Sequence, residues 1–150
     1  MSDEEREPRF FTLTEAERLR VQVEPLLIRA MDSHRRMREL DGQLKDIATR
    51  IQLMGGVLVH FEKALRVRQE REKLADGVKS ALEQIEATGC LVKDLDTGLL
   101  DFPTRLNEED VYLCWRLGED RIRFWHRIHE GFAGRKPLDP SDTDPKHPVH

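Results

Sequence analysis

The chain has 150 residues, enough for one domain with a modest core. Its 29 acidic side chains outnumber the 25 basic ones, for a formal charge of −4, so the surface is not built to neutralise phosphates and nucleic acid is excluded as the main partner. Hydrophobic residues at 38% against 36% charged suit long helices with solvated faces, and no run approaches the ~20 apolar residues that cross a bilayer.

Residues 1–9 are polar and are expected to be disordered. They lack the basic region and apolar run of a secretory signal, so the expected compartment is the cytoplasm. Phe10-Phe11 then precede Thr12 and Thr14, either of which could cap a helix, and Glu17 stands three residues after Thr14 as a capping box requires. From Leu19 to Met54 apolar residues recur at alternating steps of three and four. From Val57 to Thr88 they do so again in mirror order about Gly55-Gly56, so that Met54 matches Val57, Leu44 matches Val67 and Ala30 matches Ala81.

That symmetry predicts a helical hairpin over 10–89, antiparallel and coiled-coil-like, with Ser33 and Ala30 making a close layer against Val78 and Ala81. Arg71, opposite Leu40, is expected to run its methylenes along the partner and keep its head in water. Pro25 should kink or briefly break the first helix between 22 and 26, and Gly89 should cap the second in a left-handed conformation. Leu58, Phe61 and Leu65 form a second stripe beside the seam near the bend. Two helices cannot cover it, which predicts a homodimer or another protein partner there.

The period changes at Cys90. Cys90–Leu95 and Gly98–Phe102, flanking Asp96-Thr97 and closed by Pro103, read as a strand pair, and Val111–Leu117 reads as a third strand after a turn at Asn107–Asp110. Gly118-Glu-Asp120 is expected to open a short helix over roughly 120–130, with Ile122, Trp125, His129 and Phe132 on one face. Residues 90–138 therefore make a small three-stranded antiparallel sheet with a short C-terminal helix, packed on the open base of the hairpin. The Pro-rich, acidic tail 139–150 is expected to be disordered. The fold class is α+β, mainly α.

The segment 112–135 concentrates the residues that could carry chemistry. On a helix, His126 and Glu130 share a face at i and i+4, with Glu119 about a turn earlier and Arg135 in the glycine-flanked loop beyond. These would make a polar pocket with His126 as base or ligand, Glu130 orienting it and Arg135 binding an anion. A divalent metal on His126 and Glu130, with His129 a further donor, is conceivable, but His-x-x-His-Glu is not a zincin motif and an ordinary surface pair is the simpler reading. Trp115 and Trp125 read first as core anchors joining strand to helix and second as a stacking platform for a bound ligand. Asp94, Asp96 and Asp101 could gather around a hard cation or serve turn and edge roles. Cys90 and Cys114 are too few for a disulfide scaffold or a four-cysteine zinc site and read as small buried hydrophobes. No cofactor is expected and no nucleophilic triad is readable.

FTLTEAERL near the start, Gly-Gly in the middle, GCLVKDLDTGLLDFP, then VYLCWRLGE and FWHRIHEGFAGR occur in the order of an uncharacterised bacterial family, domain of unknown function 2203, which the chain resembles from about 10 to 138. The resemblance implies a helical hairpin with a small β unit and brings no activity, substrate or cofactor. Trp115, Gly118, Glu119, Trp125, His126, Gly131, Phe132, Gly134 and Arg135 fit its C-terminal motif, whereas His129 replaces an acidic residue and so weakens a His126–His129 metal pair. The expected function is structural: a non-catalytic protein whose hairpin self-associates or docks a partner. The alternative is a small-molecule-, anion- or metal-binding protein, or an enzyme, with its site around His126.

Overall fold

A computed structural model describes residues 9–139. The expectations of disorder at both ends fall almost wholly on residues outside that range. Two helices, α1 (Leu13–Met54) and α2 (Val57–Glu86), pack side by side and are followed by five strands: β1 (Leu91–Asp94), β2 (Leu99–Leu106), β3 (Glu109–Arg116), β4 (Phe124–Arg127) and β5 (Lys136–Pro137).

The cap of α1 is Thr12. Its hydroxyl accepts from Glu15 N at 3.1 Å while the Glu15 carboxylate accepts from Thr12 N at 3.0 Å, a complete capping box two residues earlier than Thr14–Glu17. Glu17 is committed elsewhere: it pairs with Arg20 and accepts from Ile122 N at 2.8 Å, tying the helix to the β unit. No break occurs at Pro25. Pro25 and Val21 are both exposed, so the Val21 carbonyl that the ring deprives of a partner lies on the wet side of α1. Gly55 and Gly56 turn the chain with φ of 72° and 86°, a conformation that costs any residue with a Cβ.

The mirror seam is present. Val23, Ala30, Leu40 and Ile47 on α1 and Val67, Val78 and Ala81 on α2 are buried between the helices and the β unit. Arg71 keeps its head outside and pairs with Asp41, and Arg36 reaches Glu70 at 3.2 Å on the flank. Exposed pairs of this kind contribute little; the apolar seam holds the hairpin.

The sheet is an antiparallel meander in the order β1-β2-β3-β4-β5. Its inner face (Leu100, Phe102 and Leu106 of β2; Val111, Leu113 and Trp115 of β3) joins Phe11, Ala16, Leu27, Met31 and Ile85 in one core at the base of the hairpin. β2 runs through Pro103 to Leu106 rather than ending at Phe102. Beyond Asp101 it has no β1 neighbour, and on that side the Pro103 carbonyl accepts from Phe11 N at 2.8 Å, so the missing proline N–H is not needed there. Thr104, also buried, donates its hydroxyl to the Phe11 carbonyl at 2.6 Å.

Two expectations fail in this unit. The sheet has five strands, not three, and the helix over 120–130 is absent: Phe124–Arg127 is β4, paired with β3 and β5. Phe-Trp-His is β-prone, and four residues are too few for periodicity to separate strand from helix. Trp125 faces the core side, opposite Leu113, while Phe124 and His126 face the other way, opposite Cys114 and Tyr112. His129 and Phe132, expected on the helix's inner face, are exposed.

Candidate functional site

The outer face of the sheet carries the chemistry. Position 101 on β2 pairs with 114 on β3, and 112 on β3 pairs with 126 on β4. Strand alternation therefore brings Asp101, Cys114 and His126 to one face on three adjacent strands. All three are buried, His126 at 3% and Asp101 at 2% exposure, and their donor atoms lie within 4.8 Å of one another.

The hydrogen bonds orient the histidine and place a proton on Nδ1. Nδ1 stands 2.8 Å from the Arg127 carbonyl, which only an N–H can satisfy. Nε2 stands 3.0 Å from both oxygens of Asp101. The imidazole and carboxyl therefore share one further proton, and a fork of two equal distances fits an imidazolium donating to a carboxylate. Burial raises the Asp101 pKa, and the His126 charge, then bonds from His126 and Cys114, oppose that rise. The Cys114 thiol is pushed up to about 12, first by burial and then by the Asp101 charge, so in this arrangement it is an un-ionised thiol. Cys90 is likewise pushed up by burial, in the core on the other side.

This ordering excludes nucleophilic catalysis of the cysteine–histidine type. Such a site needs histidine between the thiol and the acid, whereas here the acid bonds both histidine and thiol, and neither ring nitrogen is free to take the thiol proton.

The residues expected around His126 are placed otherwise. Glu130 lies in the turn after β4, where it accepts from Lys136 Nζ at 2.8 Å and Arg127 N at 3.0 Å. These bonds, the lysine's first, lower its pKa to about 2. It braces a turn and does not orient the imidazole; Asp101 does. Arg135 and Glu119 are bound to each other at 2.6 and 2.8 Å, and Glu119 also accepts from Arg116 N at 2.7 Å. The Arg135 guanidinium lies 4.0 Å from the Phe124 ring centre and 4.6 Å from that of Phe132, and its Nε is buried with no hydrogen-bond partner. Its charge is already matched, which leaves no spare cation for an anion. Trp115 is fully buried, with Nε1 donating to the Glu119 carbonyl at 3.0 Å, and Trp125 is flanked by Arg127 and Lys136; both anchor the unit. The three aspartates do not assemble: Asp94 holds its own turn by accepting from Asp96 N and Thr97 Oγ1, Asp96 pairs with Arg38, and Asp101 is buried with His126.

Asp101 and Cys114 were not anticipated as neighbours of His126. The available signal was Asp101 itself, an acid in the middle of the apolar run Leu99-Leu100-Asp101-Phe102, where a carboxylate stays buried only with a partner.

Two further surfaces complete the picture. A groove of about 1090 Å³ is lined by Met37, Val78 and Leu82 of the hairpin and by Leu91, Pro103 and Tyr112 of the sheet, and the Tyr112 ring packs edge-on against His126 at 5.5 Å. At the hairpin's bend Leu58, Phe61 and Leu65 are 89%, 59% and 45% exposed, together with Leu53, Met54, Val57 and Val59. Among the described residues no helix is long and apolar enough to cross a membrane.

No curated protein and no solved structure matches the chain. Residues 9–138 match the family described as uncharacterized conserved protein DUF2203, and the chain belongs to that family.

Proposed function

We propose, for a chain whose family brings no assigned activity, that it is a non-catalytic bacterial cytoplasmic protein that self-associates through the tip of its helical hairpin. The observation that carries this reading is the exposed apolar tip. Seven large apolar side chains from the end of α1 and the start of α2 are exposed around one bend, a concentration that a monomer's scattered surface residues do not make.

A second copy is the occupant that best fits. The flanks of the tip carry both signs, with Lys45, Asp46 and Arg50 on α1 and Glu62, Lys63 and Arg66 on α2, so an isologous contact can set each acid against a base of the other copy, the remaining bases staying in solvent. Two tips meeting this way continue the coiled-coil seam into a four-helix contact, with Leu58, Phe61 and Leu65 at its centre. Buried, unpaired cysteines are consistent with a reducing compartment.

Light scattering on the full chain tests the reading. The wild type should be a dimer, and Phe61→Glu a monomer of unchanged helicity by circular dichroism. A wild type that is monomeric at micromolar concentration, or a variant that stays dimeric, refutes it. A second reading, ligand binding around His126, has one observation in its favour: the buried Asp101–Cys114–His126 cluster.

A further inference from the structure

We infer that Asp101, Cys114 and His126 form a zinc site on the outer face of the sheet, with His126 Nε2, Cys114 Sγ and an Asp101 oxygen as the three protein ligands. The inference deepens the second reading and owes nothing to self-association at the tip.

Three observations support it. The donor set is suited to zinc: a thiolate, an imidazole and a carboxylate are the three protein ligand types this ion takes, and a tetrahedral ion has bonds of ~2.0–2.3 Å and ligand separations of roughly 3.3–3.8 Å. The donors here lie within 4.8 Å, so side-chain adjustments of about 1 Å close them on an ion. The histidine is held as a ligand needs to be. Its Nδ1–H is anchored on the Arg127 carbonyl at 2.8 Å, which directs Nε2 at the other two donors. All three sit on rigid neighbouring strands, not on loops.

The charge balance also fits a buried site. A dication with one thiolate, one carboxylate and one neutral imidazole is neutral overall, so burial carries no net charge. Zinc takes the place of the Nε2–Asp101 hydrogen bond and of the Sγ proton, and the protons displaced pass to solvent. No electron moves. Among the described residues the group contains three donors, and the fourth position falls to water or an incoming ligand.

The test uses full-length, chelator-stripped protein. Zn²⁺ alone is titrated by calorimetry in two buffers of different ionisation enthalpy, and Co²⁺ alone is followed by absorption. One ion per chain should bind with release of protons to the buffer. Cobalt should give a thiolate charge-transfer band with tetrahedral visible bands. Cys114→Ser should lose the charge-transfer band and Cys90→Ala should keep it. Absence of binding, binding with no thiolate band, or a band that disappears with Cys90 instead overturns the inference. If Cys114→Ser does not fold, the wild-type spectrum and the Cys90→Ala spectrum still decide. Neither a monomeric wild type nor a failed tip variant bears on this result.

Discussion

The coupling of Asp101 and His126 can be measured by a double-mutant cycle on metal-free protein. The two groups stand 3.0 Å apart and are almost wholly buried. At an effective dielectric of ~20 their attraction is about 5–6 kcal/mol, and the desolvation of several kcal/mol for each ion roughly cancels it. The pair as a whole should thus contribute little net stability. Breaking it should be costly, because Asp101→Leu strands a buried imidazolium and His126→Leu strands a buried carboxylate, each at about 3–5 kcal/mol. Replacing both removes the stranded charge, and the double variant should lose only about 0–2 kcal/mol. Urea unfolding followed by circular dichroism gives the four stabilities, provided the slopes agree. If the double variant loses the sum of the two singles, the groups do not compensate each other and the protonation scheme drawn here is wrong.

Other positions offer simpler checks. Glu108 sits at φ 66° in a two-residue turn with Asn107, and Glu108→Gly should stabilise by about 0.5–1 kcal/mol, read as a higher melting temperature. Gly98 has φ 76°, and a Cβ there would meet Leu117 Cβ at 2.8 Å and Met31 Sδ at 3.0 Å, so Gly98→Ala should cost about 2–3 kcal/mol in urea unfolding. The Glu130 carboxyl is lowered from 4.5 to about 2 in the folded state, so its contribution is present above pH 4.5 and lost as pH falls toward 2. Glu130→Gln should flatten the fall in melting temperature over that window.

The hairpin was legible because its signal is long and redundant. Dozens of positions vote on one seam, and two adjacent glycines mark the only place where both directions of counting restart. Arg71 could even be assigned a wet head, since a long basic side chain at a seam has one cheap solution. The β unit lacked that redundancy. Segments of two to eight residues have no period to average, so β4 passed for a helix, and the wrong period placed Glu130 beside His126. The site failed for a different reason. Asp101 and His126 are 25 positions apart and Cys114 lies between them, so they meet only through the registers of two strand pairs. A register shift of one residue in either pair would send one of the three to the other face, and no local pattern encodes it.

The tip and the site should behave as separate devices. α2 alone spans 30 residues, about 45 Å at the helical rise, and the apolar tip lies at one end while the sheet lies at the other. The sheet is fastened at the base by hydrogen bonds that involve no tip residue: Phe11 N to the Pro103 carbonyl, the Thr104 hydroxyl to the Phe11 carbonyl, and Ile122 N to the Glu17 carboxylate. Coupling over such a distance requires an element with two arrangements, and α1 and α2 pack continuously along one seam. Phe61→Glu should therefore leave the cobalt spectrum unchanged, and Cys114→Ser should leave the subunit count unchanged. A tip variant that shifts metal affinity tenfold would mean that the hairpin transmits a change along its length, and the separation argued from the fold would have to be given up.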